Sequence, residues 1–191
     1  PRLPHLEEYL EEWGISFMRE ENVSGKLESC VVQDNAHSLT TDGMTIIGAY
    51  TSGGLGASIH KDLRTQFPPK VIFKDAMPIK YADGYQLTEY VNEDDKTDRF
   101  TYGSFYRDGA SRDIYDVFVS YADAKAMAGG REIGTATEAD PYKLMTVSRE
   151  TRMVTNTDPD YSYVLACGST GFLGTKMLQS NVYGNTDVML S

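Results

Sequence analysis

The chain has few basic residues, and they are not grouped. It contains 18 Lys and Arg against 28 Asp and Glu in 191 residues, which gives a formal net charge of −10 at pH 7. Proteins hold the phosphates of nucleic acids with clustered Lys and Arg side chains. The composition therefore argues against a nucleic-acid partner, and the acidic surface predicts solubility.

Long hydrophobic runs are also missing. No apolar segment approaches the roughly 18 residues of a membrane-spanning helix, and no signal-like segment is present. Hydrophobic residues make up 40% of the chain, enough for a domain that buries roughly 70% of its unfolded surface. Because the sequence begins at Pro1 rather than Met and ends on apolar residues, we expect either a single domain over residues 1–191 or the excised C-terminal part of a larger domain.

Cysteine and histidine are scarce. Cys30 and Cys167 share no metal-ligand spacing with His5, His37 or His60. Two distant cysteines in a domain of this size predict buried thiols. Cys167 would end a strand just before a turn, a placement that suits a nucleophile, but no His follows His60 in the chain to serve as its base.

The most informative stretch contains three evenly spaced glycines. Gly168, Gly171 and Gly174 follow an apolar run that favours a strand, Tyr163–Cys167, and precede Thr175–Leu178, which favours a helix. In dinucleotide-binding folds such glycines let the backbone approach a pyrophosphate at a helix N-terminus. An NAD(P)-dependent Rossmann-type oxidoreductase that uses these glycines is therefore an alternative function.

The sequence that follows argues against that cofactor. A dinucleotide site needs a further strand with an acidic residue about 20 positions on. Asp187 lies only 16 positions after Gly171, behind the turn-like Tyr183–Thr186, and the chain ends at residue 191. We therefore interpret the glycines as a tight strand-to-helix turn that closes a sheet, and we predict no catalytic, cofactor-binding or metal-binding residue.

Local patterns predict both helices and strands. Leu6, Tyr9, Leu10 and Trp13 have the spacing of an amphipathic helix over residues 4–13, ended by Gly14. Further helices are expected over 58–67 and 113–128. The expected strands are 15–18, 30–33, 44–50, 71–73, 78–81, 142–154 and 163–167, with a flexible loop at 51–56 and a turn at 156–160. Strands near both ends with helices between them predict an α/β fold, a layered Rossmann-like sheet flanked by helices.

Residues 82–113 are predicted to be a loop-rich insertion. The acidic run at 92–98 lacks the central Gly and distal Glu of an EF-hand loop, so it predicts a solvated loop. A tyrosine ring is apolar and its hydroxyl polar, so tyrosines in this region either line a recognition surface or cap a sheet, and both interpretations stay open. The aromatic residues in question are Tyr85, Tyr90, Phe100, Tyr102, Phe105 and Tyr106.

Several short motifs resemble those of a known family. The opening Leu3–Ile15, followed by Val31–Asp34, is similar to the passage "Leu-x-x-x-Leu-x-x-x-Gly-Ile … Val-Val-x-Asp" in auxiliary proteins of gliding-motility-type ABC transport systems. Pro141–Ser148 resembles the strand that precedes the last strand of their domain. Tyr163–Leu173 resembles the last strand itself, although Gly171 stands where the family usually has an acidic residue.

The end of the chain extends this resemblance, since Asn181, Gly184, Asn185 and Asp187 match the family's closing segment. The resemblance implies an extracytoplasmic α/β domain, anchored to the membrane through segments outside this sequence. It also implies a non-catalytic auxiliary module that binds a cargo, an envelope component or a partner subunit, together with the membrane or ATPase subunits of the same system. The family has no assigned reaction, so no catalytic residue follows from it.

Overall fold

The computed structural model describes residues 4–62, 69–107, 109–155, 158–180 and 182–190. Strands account for 47% of the chain and helices for 18%. Each strand pair in these ranges is antiparallel. The predicted α/β fold, a Rossmann-like sheet flanked by helices, is therefore wrong, because the protein is mostly β.

The helices within the described ranges are short and lie outside the sheet. They are α1 (Pro4–Glu12), α2 (Gly54–Asp62), α3 (Thr175–Leu178) and α4 (Asn185–Leu190), with a 3₁₀ turn at Thr170–Leu173. The strands are β1 (Ile15–Phe17), β2 (Arg19–Glu21), β3 (Leu27–Ser29), β4 (Val31–Gln33), β5 (Thr45–Tyr50), β6 (Val71–Lys74), β7 (Ile79–Tyr81), β8 (Gln86–Val91), β9 (Arg99–Arg107), β10 (Ala110–Val119), β11 (Lys125–Ala128), β12 (Arg131–Thr135), β13 (Lys143–Thr155) and β14 (Asp158–Cys167).

The long strands β10 and β13 form the middle of the main sheet. Different strands pair with the two ends of β10 and β13. Along one end of these two strands the order is β8-β9-β10-β13-β14, and along their other end it is β6-β5-β10-β13-β7-β1. On one side of β10 the partner changes, because β9 pairs with it as far as Ile114 and β5 pairs with it from Phe118. Between them Thr51 bonds to β10 instead: its Oγ1 donates to the Asp116 carbonyl at 3.1 Å and its N–H to the Val117 carbonyl at 3.2 Å. The sheet is therefore split beside residues 115–117.

The expected helix over 113–128 is β10 and β11 instead, and a bulge explains the error. Ile114, Val117 and Phe118 are all buried, with the spacing of one face of a helix. The register between β10 and β13 shifts between Asp116 and Phe118. A bulge adds one residue to a strand and interrupts the alternation of inward and outward side chains, so a bulged strand can imitate helical spacing. The β-branched and aromatic content of residues 114–119 is the signal that favours a strand.

Strands also fill most of 82–113, the predicted loop-rich insertion. β8 and β9 form a hairpin with Gln86 opposite Ser104 and Val91 opposite Arg99, and β9 then pairs with the start of β10. The acidic run at 92–98 is the loop of that hairpin.

Other local predictions are confirmed or fall outside the described ranges. The helix at 4–13 is α1, and each expected strand overlaps an observed one. Helix α2 begins at Gly54, inside the expected loop at 51–56, while residues 63–67 of the expected 58–67 helix lie outside the described residues. The turn at 156–160 is described only from Asp158, where β14 has already begun.

The main core contains an aromatic cluster from three parts of the chain. Phe73 on β6 lies 5.5 Å from Phe118 on β10 and 5.2 Å from Phe172 in the 3₁₀ turn, measured between ring centroids. Asn185 secures α4 beside this core, since its Oδ1 accepts from the Ile72 N–H at 3.0 Å and its Nδ2 donates to the Ile72 carbonyl at 2.9 Å. Two smaller sheets, β12-β11-β4 and β2-β3, complete the fold.

Candidate functional site

One face of the strands β8, β9, β10, β13 and β14 carries a row of aromatic rings, which we call the aromatic face. Phe100 on β9 lies 4.9 Å from Tyr90 on β8 and 6.3 Å from Tyr115 on β10. Tyr102 stacks on Tyr115 with centroids 5.3 Å apart. The alternation of strand residues places these rings on the same side, so three neighbouring strands present one continuous aromatic surface.

Arg149 on β13 continues this surface toward β14. It stands opposite Asp113 on β10 and Tyr163 on β14. Its Nη2 donates to Asp113 Oδ2 at 2.7 Å, and the guanidinium carbon lies 5.4 Å from the Tyr115 ring centre and 5.5 Å from that of Tyr161. The guanidinium is thus held by a carboxylate and two ring faces, an arrangement that fixes its position.

Helix α2 packs on β10 and leaves a groove beside the aromatic face. This aromatic groove has a volume of about 650 Å³, within the usual range of ligand sites. Tyr163 is 61% exposed and Tyr90 43% exposed. The lining includes Leu55, Lys61, Tyr90, Asp98, Phe100, Tyr115, Arg149 and Tyr163.

Some of the aromatic residues of 82–113 line a surface groove, as a recognition surface would require, and others lie outside it. Tyr90 and Phe100 line the groove. Phe105 is buried with Ile114 on the opposite face of the sheet, and Tyr106 is exposed outside the groove. Tyr115, Arg149 and Tyr163 complete the surface and were missed, because their strands lie far apart in sequence. Tyr163 begins the predicted strand 163–167, and Tyr161 two positions earlier shares its alternation, so this spacing is the sequence signal that indicates Tyr163 on an exposed strand face.

A second cavity of about 490 Å³ lies at the split between β9 and β5, and we call it the split cavity. Asp116 is part of its wall. The Asp116 Oδ1 atom is buried without a hydrogen-bond partner, while Oδ2 lies 3.9 Å from Lys143 Nζ. Burial raises the pKa of this carboxyl to about 6, although Lys143 and a hydrogen bond from Tyr81 act in the opposite direction.

A third cavity, of about 440 Å³, contains a histidine, and we call it the histidine cavity. His37 Nδ1 lies 3.0 Å from Asp34 Oδ2, and Asp34 Oδ1 accepts from the N–H groups of Ala36 and His37 at 2.9 Å each. A carboxylate accepts from an Nδ1–H, and in the neutral ring this tautomer leaves Nε2 as an acceptor. The His37 ring stacks on Tyr121 with centroids 3.8 Å apart. Sequence spacing gave no reason to single out His37, because its partners are a turn carboxylate and a distant ring.

The split cavity lies between the aromatic groove and the histidine cavity and shares lining residues with each. The aromatic groove and the split cavity share Gly54, Phe100 and Tyr115, and the split cavity shares Glu138 and Pro141 with the histidine cavity. The segment that connects β12 to β13 contains both of these residues, so it lies between the split cavity and the histidine cavity.

The glycine turn is packed against the protein. A Cβ atom on Gly168 would lie 2.0 Å from the Met77 carbonyl oxygen, and one on Gly171 would lie 2.8 Å from Lys74 Cβ. Ser169 Oγ accepts from the Lys74 N–H at 2.9 Å and donates to the Lys74 carbonyl at 2.6 Å. The glycines thus allow close contact between the turn and β6. The strand pairs of the described residues are all antiparallel, so these residues form no βαβ unit of the kind that carries a dinucleotide site.

Both cysteines are free thiols in the structure. Cys30 is buried, and desolvation raises the pKa of its thiol. Burial raises the pKa of Cys167 to about 11, whereas nucleophilic cysteines have a lowered pKa. Cys30 is therefore a buried thiol, as expected, whereas Cys167 is only partly buried and its raised pKa disfavours the thiolate.

Comparison with known proteins adds no relative: no family model matches the chain, and neither the curated proteins nor the solved structures contain a similar one. In the described part of the chain, no helix is both long enough and apolar enough to cross a membrane.

Proposed function

We propose that the protein is an extracytoplasmic auxiliary module of an ABC-type transport system, which binds its cargo, an envelope component or a partner subunit in the aromatic groove. The observation that carries this proposal is the groove itself, where rings from β8, β9, β10 and β14 meet beneath α2. Tyrosine rings at a surface supply large, rigid contact areas with polar tips, as binding sites require. The transport setting comes from the resemblance of Leu3–Ile15, Pro141–Ser148 and Tyr163–Leu173 to the gliding-motility-type auxiliary proteins.

Neighbouring side chains hold the charged groups beside the groove in place. Arg149 is paired with Asp113, and Asp98 accepts from Asn92 Nδ2 at 3.1 Å. Charged groups held in fixed positions in this way orient a bound ligand. The exposed ring faces of Tyr90 and Tyr163 then provide most of the contact energy.

The test is capture of the neighbouring subunits. The tagged protein is incubated with detergent-solubilised membranes that contain the membrane and ATPase subunits encoded beside its gene, and the bound subunits are quantified. We expect retention by the wild type and a loss of about tenfold or more for Tyr163→Ala, the usual effect of removing an aromatic anchor. Tyr106→Ala is the matched control, since Tyr106 is similarly exposed but does not line the groove.

Two outcomes would contradict the proposal. One is that none of these subunits is retained by the wild type, and the other is that Tyr163→Ala and Tyr106→Ala retain them equally. Topology is tested separately by fusing alkaline phosphatase to this domain in its parent protein. The enzyme is active only outside the cytoplasm, so an inactive but stably produced fusion would place the domain on the wrong side of the membrane.

A further inference from the structure

The split cavity and the histidine cavity differ from the aromatic groove in charge. The groove is lined by Lys61 and Arg149 as well as by acidic residues. By contrast, none of the described residues around the other two cavities is Lys or Arg. Their acidic lining consists of Asp116, Asp123 and the shared Glu138. A cavity with charges of one sign concentrates ligands of the opposite sign.

Aromatic rings border the same space. Tyr50, Phe100 and Tyr115 line the split cavity, and Tyr121 lines the histidine cavity. The faces of aromatic rings attract cations, and carboxylates beside them strengthen that attraction. This combination favours a positively charged organic ligand over a neutral or anionic one.

His37 offers a hydrogen-bond acceptor to such a ligand. Asp34 engages Nδ1, and His37 Nε2 has no hydrogen-bond partner among the described residues. The histidine cavity is lined by this ring. A neutral imidazole nitrogen accepts a hydrogen bond from an N–H donor and offers nothing to a carboxylate or phosphate.

We propose that the split and histidine cavities together bind an aliphatic amine in its ammonium form, a diamine or polyamine. Glu138, which lines both cavities, supplies a direct charge partner, and His37 Nε2 accepts from an ammonium N–H. Asp116 lines the split cavity and its Oδ1 has no partner among the described residues, while Lys143, 3.9 Å from Oδ2, offsets part of its charge. The inference does not depend on the transport setting, because it concerns cavities other than the aromatic groove.

Binding of this kind is coupled to pH. Tyr81 and Lys143 face Asp116, and Asp140 lies close enough to raise its pKa further, with burial as the main cause. A cation in the split cavity favours the ionised carboxylate, so the ligand is bound more weakly once Asp116 is protonated. Affinity is therefore expected to fall as the pH is lowered from 7.5 to 5.

The experiment is calorimetric titration with 1,4-diaminobutane and, as the neutral analogue of the same length, 1,4-butanediol, at low ionic strength. We expect saturable binding of the diamine, no binding of the diol, and an affinity at least about fivefold lower for Asp116→Asn and for Glu138→Gln. Glu21→Gln controls for net charge, because this exposed residue lies on β2 and lines neither cavity. Tyr163→Ala is expected to bind the diamine like the wild type.

Three results would overturn the inference. The first is no saturable binding of the diamine up to 10 mM, a concentration well above the Kd that corresponds to a binding free energy of about −4 kcal/mol. The other two are equal binding of the diol, and unchanged affinity in both Asp116→Asn and Glu138→Gln. Because Glu138 is exposed, its variant remains informative if Asp116→Asn folds poorly. Diamine binding that survives while subunit capture fails would remove the transport proposal and leave this inference intact.

Discussion

Arg112 and Glu150 stand directly opposite each other on β10 and β13 and form a buried ion pair, with Nη2 and Oε2 2.6 Å apart. Their side chains are 10% and 2% exposed. The guanidinium carbon also lies 5.0 Å from the centre of the Trp13 ring, and Ser148 Oγ donates to the Trp13 carbonyl at 2.8 Å. The pair therefore ties the two central strands to the end of α1, on the face of the sheet opposite the aromatic groove.

Removing one member of this pair is expected to destabilise the protein strongly. Arg112→Met leaves the Glu150 carboxylate buried with only Arg152, whose side chain is 72% exposed, as a charged partner. The expected loss is about 3–5 kcal/mol in the free energy of unfolding, measured by urea denaturation. The double variant Arg112→Met/Glu150→Leu is expected to recover most of it, because no charge remains buried.

Arg152→Ala is the control for this pair, and it is expected to cost about 1 kcal/mol or less because the Arg152 side chain is exposed. Arg112→Met with wild-type stability would show that the pair contributes nothing to the fold.

The raised pKa of Asp116 predicts an unusual dependence of stability on pH. The carboxyl has a pKa of about 6 in the folded protein, against an ordinary value of 3.8 for an aspartate, so the folded state binds this proton more tightly than the unfolded state. The contribution of Asp116 to stability is therefore fully present below about pH 4 and is lost as the pH rises through 6. The loss is on the order of 2–3 kcal/mol, at 1.36 kcal/mol for each unit of pKa difference.

Asp116→Asn tests this directly, because an amide cannot ionise. The variant is expected to be more stable than the wild type at pH 8, with the difference shrinking toward pH 4, as measured by urea unfolding across this range. Asp113→Asn, on the same strand, loses a carboxylate that accepts from Arg149 and should gain no stability at pH 8. A difference between Asp116→Asn and the wild type that does not vary with pH would contradict the assignment.

The glycine turn predicts a contrast between two substitutions. A Cβ atom at Gly168 would lie 2.0 Å from the Met77 carbonyl oxygen. The Gly168 backbone cannot move away freely, because its N–H donates to Leu144 at 2.9 Å and its carbonyl accepts from the Met77 N–H at 2.8 Å. Gly168→Ala is therefore expected to lower the free energy of unfolding by about 2 kcal/mol or more.

At Gly174 a Cβ atom would lie 3.0 Å from the Gly171 carbonyl oxygen, in a backbone conformation with φ of −62° that any residue adopts. Gly174→Ala should cost about 1 kcal/mol or less, as thermal unfolding of the two variants side by side would measure. Equal losses would mean that close contact with Met77 is not what requires glycine at position 168.

Local sequence patterns were reliable where the spacing of apolar residues along the chain matches one type of element. The spacing of Leu6, Leu10 and Trp13 predicted α1, and the apolar runs predicted β5, β6 and the β13-β14 pair. The pattern failed at β10, where the bulge at 116–118 turns a strand's alternation into helical spacing. Because β10 was predicted to be a helix and the hairpin of β8 and β9 was predicted to be a loop, the remaining elements indicated an α/β fold. The aromatic and β-branched residues at 114–119 are the signal that favoured a strand.

By itself, the sequence determined that this is an acidic chain with enough apolar residues for a core and with a glycine turn at the end of a strand. Those properties depend on composition and on neighbours along the chain. Only the tertiary structure decided where the sites lie. The aromatic groove joins Tyr90, Tyr115 and Tyr163, and the split cavity exists because β10 exchanges β9 for β5 beside Asp116. Such contacts depend on which strands pair across long sequence separations, and no local pattern of residues encodes that pairing.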